Sequence, residues 1–146
     1  GLAASLHVTI TRCLCGNRNQ TAMHTEIEAG RELDSEERPW GAWHVLFVRE
    51  GYKVKRIHVN PGHRLSYQTH EHRDEHWVVV RGTATCTVDD EEIILTAGHS
   101  LDVPIGAKHR IANLHDEELV IIEVQLGAYT GEDDIIRIED VYGRSM

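Results

Sequence analysis

The chain has 146 residues, of which 40% are hydrophobic, and it carries a formal net charge of −9. This length allows one domain with a substantial core and is short for two. The negative charge argues against a nucleic-acid partner, and no apolar run reaches the ~18 residues of a membrane-spanning helix. A small anionic ligand is still allowed, because a few inward-facing cations can reverse the field locally.

The first 30 residues show no sustained hydrophobic period, and residues 16–20 have the composition of a loop. We expect a poorly ordered extension over residues 1–30 and a single domain over residues 31–146, which opens with a short helix or turn at 31–38. The start of the chain lacks the cationic region of a secretion signal. Three cysteines cannot all pair with one another, and reduced thiols are typical of cytoplasmic proteins. A cytoplasmic location is therefore expected.

Short runs rich in β-formers, separated by turn residues, fill the chain from residue 44 onward. The predicted strands are 44–50, 52–59, 64–70, 76–81, 83–88, 92–95, 101–103, 109–113 and 119–126. The run 52–59 alternates, so that Lys53 and Lys55 share a face with Ile57. No helical period of useful length appears between these runs. Many short strands at roughly 8–12-residue spacing predict an all-β sandwich or barrel.

Four polar side chains on these strands have the chemistry of a divalent-metal site. Gln68 and His70 are two residues apart on one predicted strand, so their side chains leave the same face. Glu75 heads the next strand after a bend, and His109 follows a turn at 104–106 that can return it to the first pair. Two imidazoles, a carboxylate and an amide oxygen suit zinc or another first-row divalent ion, with positions left for water or substrate.

The spacing around these residues resembles the two signature motifs of the cupin superfamily. The first motif here is Gly62, Gln68, His70, Glu75 and Gly82, with Gln68 in the place of the first histidine; the second is Gly98, Pro104, Gly106, His109 and Asn113. This resemblance implies a double-stranded β-helix, the jelly-roll barrel of cupins.

Longer segments, spanning about residues 36–145, resemble type II mannose-6-phosphate isomerases. They include Arg38–Gly41, Tyr52–Ile57, Pro61–Gln68, Glu75–Val80 and a C-terminal region with Arg137, Asp140, Tyr142 and Arg144. The resemblance implies a metal-dependent aldose–ketose isomerase that interconverts mannose 6-phosphate and fructose 6-phosphate. In that family the domain usually forms the C-terminal part of a bifunctional isomerase/mannose-1-phosphate guanylyltransferase. The chain has no glycine-rich nucleotide loop, so we expect a stand-alone isomerase cupin without guanylyl transfer.

Such a reaction needs a Lewis acid, a base near the reacting carbons and cations for the phosphate. The sequence leaves the base open among Lys55, His63 and Glu123. Arg64 shares strand parity with Gln68 and should point inward to the phosphate, an internal ion pair being the alternative. The other substrate-binding candidates are Gln125, Arg137 and Arg144.

Zinc is the favoured ion, with manganese, cobalt, nickel and iron as alternatives. The expected partners are a phosphorylated hexose and a second copy of the chain, since the sheet edges of a small barrel are usually covered; nucleic acid and membrane are not expected. Two other functions stay open, because one fold hosts many activities. They are a non-catalytic sugar- or metal-binding cupin and another cupin enzyme, such as an epimerase or oxygenase.

Overall fold

The computed structural model describes residues 33–144, which belong to one compact unit spanning residues 31–146. The predicted extension over residues 1–30 lies outside the described residues. The strands are β1 (Asp34–Arg38), β2 (Gly41–Arg49), β3 (Tyr52–Val59), β4 (Tyr67–Thr69), β5 (Asp74–Arg81), β6 (Thr83–Val88), β7 (Glu91–Thr96), β8 (Ser100–Val103), β9 (His109–Ala112), β10 (Leu119–Leu126) and β11 (Ile136–Glu139). Across these 112 positions, nothing helical is long and apolar enough to cross a bilayer.

The strands form two antiparallel sheets. One has the order β1-β2-β3-β10-β5-β8 and the other the order β11-β4-β9-β6-β7. Neighbours in each sheet are mostly distant in sequence, and the two halves of the chain interleave, as in a jelly roll. The all-β jelly-roll prediction is therefore confirmed.

The predicted bounds of β3, β6 and β10 match the structure, because a turn glycine marks one end of each strand: Gly51 before β3, Gly82 before β6 and Gly127 after β10. The helix or turn predicted at 31–38 is wrong: Asp34–Arg38 is an edge strand that pairs with β2, with Asp34 opposite Val45. Its side chains are mostly exposed, so its strand identity comes from backbone pairing and leaves no hydrophobic period. The strand β11 was not predicted for the same reason, since its residues are largely exposed.

The inner faces carry an apolar core and, beside it, a group of buried charges. Trp77, Leu119 and Ile121 are almost fully buried in the core. On β3 the buried face carries Lys53 and Lys55 together with Ile57. Lysines are rarely buried without a polar partner, so this face points to a polar site inside the barrel.

Candidate active site

Three predicted metal ligands meet inside the barrel. His70 follows the end of β4, Glu75 lies in β5 and His109 begins β9, and each offers a ligand atom within 4.8 Å of the other two. Nε2 of His70 is 3.0 Å from Oε1 of Glu75, and Nε2 of His109 is 3.6 Å from Oε2 of the same carboxylate. All three residues are buried.

The hydrogen bonds of the two imidazoles fix which nitrogen faces Glu75. Nδ1 of His70 contacts the carbonyl oxygen of Asp134, and Nδ1 of His109 lies 2.9 Å from the carbonyl oxygen of Ala107. A carbonyl oxygen only accepts, so both Nδ1 atoms carry the proton and both Nε2 atoms present a lone pair. Metal-binding histidines are oriented by this kind of contact.

The triad fits a divalent ion. Burial lowers the pKa of His109 against the opposing pull of Glu75, which favours the neutral imidazole that a metal requires. Within the described residues, Nε2 of His109 is a buried atom without a hydrogen-bond partner. Buried polar atoms are seldom left in that state, and coordination to an ion would satisfy this one.

A glycine turn brings the third ligand to the first. Gly106 has a φ of 79°, which a side chain would disfavour, and its N–H donates to the carbonyl oxygen of His70 over 2.9 Å. This bond ties the segment before β9 to the end of β4. In addition, Gln68 lies directly opposite His109 in the β4–β9 pairing.

Two side chains hold the Glu75 carboxylate in place. Nε1 of Trp77 donates to Oε2 over 3.0 Å, and Nε of Arg73 donates to Oε1 over 3.1 Å. Burial raises the pKa of Glu75, but the hydrogen bonds and positive charge around the carboxylate, those of Arg73 among them, outweigh burial and hold the pKa below its usual range. The carboxylate is therefore ionised and ready to bind a cation.

Gln68 lies on the wall of the adjoining cavity, where its Oε1 accepts a hydrogen bond from Oγ of Ser66 over 2.9 Å. The structure thus places Gln68 next to the triad. Its role as a fourth ligand stays a prediction.

An open cavity adjoins the triad and is lined by His70 and Glu75. Its charged lining consists of the cations Arg38, Lys55, Arg73, Arg137 and Arg144 and the acids Glu75, Glu123 and Glu132. Cations therefore outnumber carboxylates here, although the whole chain carries a charge of −9. Such a local excess attracts small anions.

Two of the candidate bases, Lys55 and Glu123, face each other across the β3–β10 pairing. Nζ of Lys55 is 2.6 Å from Oε1 of Glu132 and stands over the Trp43 ring at 4.2 Å from its centre. Glu123 is buried and accepts a hydrogen bond of 2.6 Å from Nε2 of Gln125. Burial, then the charge of Glu75, raises the pKa of Glu123 to about 7.

The C-terminal tail supplies the far wall of the cavity. β11 pairs with β4, which sets Arg137 opposite Gln68. Arg144 donates from Nε and Nη2 to the carboxylate of Asp140, each over 2.9 Å. Burial, then the charge of Arg144, lowers the pKa of Arg137. A bound anion would relieve this destabilisation of the charged guanidinium.

Three predicted residues do not line the cavity: the substrate-binding candidate Gln125, which is fully buried, together with Arg64 and His63. Arg64 does not point inward as expected: its side chain is 42% exposed and its Nη2 is 4.0 Å from Oε1 of Glu139. His63 stacks on Tyr142, and its Nδ1 lies 2.7 Å from the Tyr142 hydroxyl. The reason for the error at Arg64 is that the strand begins only at Tyr67, so its alternation does not extend back to residue 64.

Sequence reasoning missed four residues of the site: Arg38, Arg73, Glu132 and Asp134. Arg73 precedes Glu75 by two residues. If the predicted strand 76–81 had been extended back to residue 73, alternation would have placed Arg73 on the same face as Glu75. Asp134 accepts hydrogen bonds from the backbone N–H groups of Glu71 and His72, both over 3.0 Å. Its carboxylate and carbonyl thus hold the turn after His70 in place.

Solved structures share the fold at low sequence identity. An oxalate decarboxylase from Lactobacillus farciminis in complex with formate has a TM-score of 0.64 at 22% identity, covering 73% of this chain and 33% of that one. An RmlC-like cupin from Shewanella frigidimarina has a TM-score of 0.59 at 23% identity, covering 68% of this chain and 86% of that one. These likenesses establish the cupin fold.

Closer relatives carry biosynthetic names. The alginate biosynthesis protein AlgA of Pseudomonas aeruginosa is 48% identical over 128 residues, covering 88% of this chain and 25% of AlgA. The xanthan biosynthesis protein XanB of Xanthomonas campestris is 51% identical over 108 residues, covering 74% of this chain and 23% of XanB. A mannose-1-phosphate guanylyltransferase of Salmonella montevideo is 44% identical over 129 residues, covering 88% of this chain and 26% of that protein.

The chain therefore spans about a quarter of the length of these relatives. The profile of the family described as mannose-6-phosphate isomerase, C-terminal, matches residues 17–140. With this match and the cupin barrel that carries the site, the chain belongs to the mannose-6-phosphate isomerase C-terminal family.

Proposed function

We propose that this domain is a metal-dependent aldose–ketose isomerase that acts on a phosphorylated hexose, interconverting mannose 6-phosphate and fructose 6-phosphate. The observation that carries the proposal is a single cavity lined by His70 and Glu75 of the ligand triad, with an excess of cations around it. The family membership and the names of the relatives support the choice of sugar.

His70, Glu75 and His109 would hold the ion, with Gln68 as a fourth ligand once its amide oxygen leaves Ser66. A divalent ion bound there supplies Lewis-acid polarisation of the carbonyl and hydroxyl oxygens of the sugar. The mixed nitrogen and oxygen donors favour zinc, and manganese, cobalt, nickel and iron are the alternatives.

Glu123 is the group we propose as the base that moves a proton between the adjacent carbons. It is buried in the cavity wall, and its pKa of about 7 suits both uptake and release of a proton near neutral pH. Gln125 fixes one carboxylate oxygen by donating to it. Lys55, which lies opposite Glu123, already pairs with Glu132 and so serves better as a fixed positive charge.

Arg137 and Arg144 are the proposed phosphate ligands. Both line the cavity on the tail side, and burial, followed by the charge of Arg144, lowers the pKa of Arg137. A phosphate dianion between them would pair with both guanidinium groups through charge-assisted hydrogen bonds. The sugar carbons would then extend toward the triad.

The deciding experiment is turnover of mannose 6-phosphate. The purified chain is stripped with a chelator, reloaded with zinc, manganese, cobalt or nickel in turn, and assayed for fructose 6-phosphate with coupling enzymes that reduce NADP. We expect turnover with at least one metal and none with His109→Ala. If the loaded protein binds the phosphosugar but converts none of it, the domain is a binding module, and the isomerase proposal is wrong.

We also propose that the chain forms a homodimer. Among residues 33–144, the sheets end in β1 and β8 and in β11 and β7, and Val80 and Ile94 are 53% and 62% exposed. Covering such edges and apolar side chains is a common reason for association of small barrels. Sedimentation of a single species at the monomer mass would remove this proposal.

A further inference from the structure

The side chain of Arg73 contacts two of the triad atoms that would bind a metal ion. Its Nη2 is 3.2 Å from Nε2 of His70, and its Nε donates to Oε1 of Glu75 over 3.1 Å. Its Nη1 donates to the carbonyl oxygen of Gly131 over 3.1 Å. Arg73 is only 5% exposed, so these contacts take the place of water around its guanidinium group.

The lone pair of His70 can serve one partner at a time. Because the Nδ1–H of His70 donates a hydrogen bond to the carbonyl oxygen of Asp134, Nε2 of the neutral ring has a single lone pair in the plane of the ring. An Arg73 N–H and a metal ion would both need that lone pair. The same competition holds, less strictly, for the Glu75 oxygen, which Arg73 also occupies.

We propose that Arg73 is a resident cation of this site that a divalent ion displaces, and that the displaced guanidinium then binds the anionic group of the ligand. The inference rests on the proposed function, since it assumes a metal at the triad and an anion in the cavity. It assigns Arg73 two partners, the Glu75 carboxylate before metal binding and the anion after it.

Charge requires such a cation at Glu75. A buried carboxylate without a partner is strongly unfavourable, and an arginine always carries the compensating charge. A divalent ion at the triad would compensate the charge of Glu75 in place of Arg73, and its positive charge would repel the guanidinium group. The guanidinium keeps its contact to Gly131, next to Glu132, and it already lines the cavity. An anion in that cavity is therefore the partner that Arg73 can take up.

The consequence is a reciprocal coupling. Metal binding releases a guanidinium for the anion, and the anion holds that guanidinium away from the metal ligands, so each tightens binding of the other by the same factor. This coupling is a property of binding equilibria. It can be measured whether or not the domain turns over a sugar.

The test is titration of the chelator-stripped chain with Co²⁺ by calorimetry, in sulfate and in chloride at equal ionic strength. Sulfate is chosen as a tetrahedral dianion that keeps Co²⁺ in solution. For the wild type we expect the Kd for Co²⁺ to be about fivefold or more lower in sulfate. For Arg73→Gln we expect a Kd in chloride about fivefold or more below that of the wild type, because the competing cation is gone, and no further decrease in sulfate.

The matched control is Arg81→Gln, because Arg81 is 61% exposed and pairs with Glu117 at the surface. It should bind Co²⁺ as the wild type does in both salts. Circular dichroism of the stripped proteins checks folding; if Arg73→Gln does not fold without metal, Arg73→Lys replaces it. The lysine keeps the charge but cannot donate to His70 and Glu75 in the same planar geometry, so its Kd in chloride should also fall and its response to sulfate should shrink.

Weaker Co²⁺ binding by the Arg73 variant, or an unchanged Kd with the sulfate effect intact, would overturn the inference. The two proposals can fail separately. Absence of isomerase turnover with the sulfate coupling intact would count only against the proposed reaction. Turnover in a protein whose Co²⁺ affinity ignores Arg73 would count only against the role of this residue.

Discussion

Arg137 in β11 lies directly opposite Gln68 in β4, and Gln68 lies directly opposite His109 in β9. Three separate parts of the chain, the first motif, the second motif and the C-terminal tail, therefore meet on adjacent strands of one sheet. The strand with the fewest residues, β4, is the one that joins them. We therefore expect substitutions in the C-terminal tail to alter the positions of the metal ligands, and substitutions of the ligands to alter the tail.

Replacement of a histidine of the triad should abolish metal binding. We expect His109→Ala, and separately His70→Ala, to reduce the metal-to-protein ratio measured by elemental analysis to background, because each removes a nitrogen ligand and leaves Glu75 without its neighbour. The matched control is His115→Ala, since His115 is exposed. Metal content that stays at the wild-type ratio in both triad variants would show that the ligands lie elsewhere.

The indole of Trp77 should matter for metal affinity through its N–H group alone. Trp77→Phe keeps most of the buried ring but removes the donor to Oε2 of Glu75. Loss of a group that orients a ligand typically weakens metal affinity about 10–100-fold. We expect this weakening in a competition titration with a coloured chelator, together with an unchanged β-sheet spectrum. An unaltered Kd would mean that Glu75 needs no support from this side.

The parts of the site that the sequence predicted are those set by short-range periodicity and those carried by the resemblance to the cupin motifs. The alternation of β3 placed Lys55 on the same face as Ile57, and the structure buries that face. The spacing of the two motifs brought His70, Glu75 and His109 together as expected. The first relationship follows from strand alternation within a few residues. The meeting of His109 with His70 and Glu75 joins distant strands and was expected from the resemblance to the cupin motifs.

The parts that were missed depend on long-range pairing or on irregular backbone. Arg64 was misplaced because residues 65 and 66 are not in a strand, so alternation could not be carried across them. Asp134 holds the turn at Glu71 and His72 from about sixty positions away. β11 joins β4 through backbone bonds, with exposed side chains that leave no hydrophobic pattern.

Replacement of Glu123 should stop turnover and spare the metal. Glu123→Gln keeps the size of the side chain but cannot accept a proton, so kcat for mannose 6-phosphate should fall by about 10²–10⁴. Metal content should stay the same because Glu123 is not one of the triad ligands. The comparison variant is His63→Gln, which alters the other candidate, a residue packed on Tyr142 outside the cavity. A large loss of kcat in His63→Gln with an active Glu123→Gln would reverse the assignment.

Asp140 should stabilise the tail in a way that depends on pH. The hydrogen bonds from Arg144, acting against burial, lower the pKa of Asp140 from an ordinary value near 3.8 to about 2. The unfolded chain therefore takes up this proton at a higher pH than the folded chain does. The stabilisation is complete above about pH 4 and is lost as the pH falls from there to about 2.

Asp140→Asn should accordingly unfold more easily in urea at pH 7, by about 2 kcal/mol at most, and should match the wild type near pH 2. The control is Glu117→Gln, which breaks the exposed pair with Arg81 and should change stability far less at either pH. In Asp140→Asn, Arg144 loses its carboxylate partner. The KM for mannose 6-phosphate should therefore change in this variant, while its metal content should not. A stability difference that is constant between pH 7 and pH 2 would show that packing of the tail, and not the charge on Asp140, accounts for the effect.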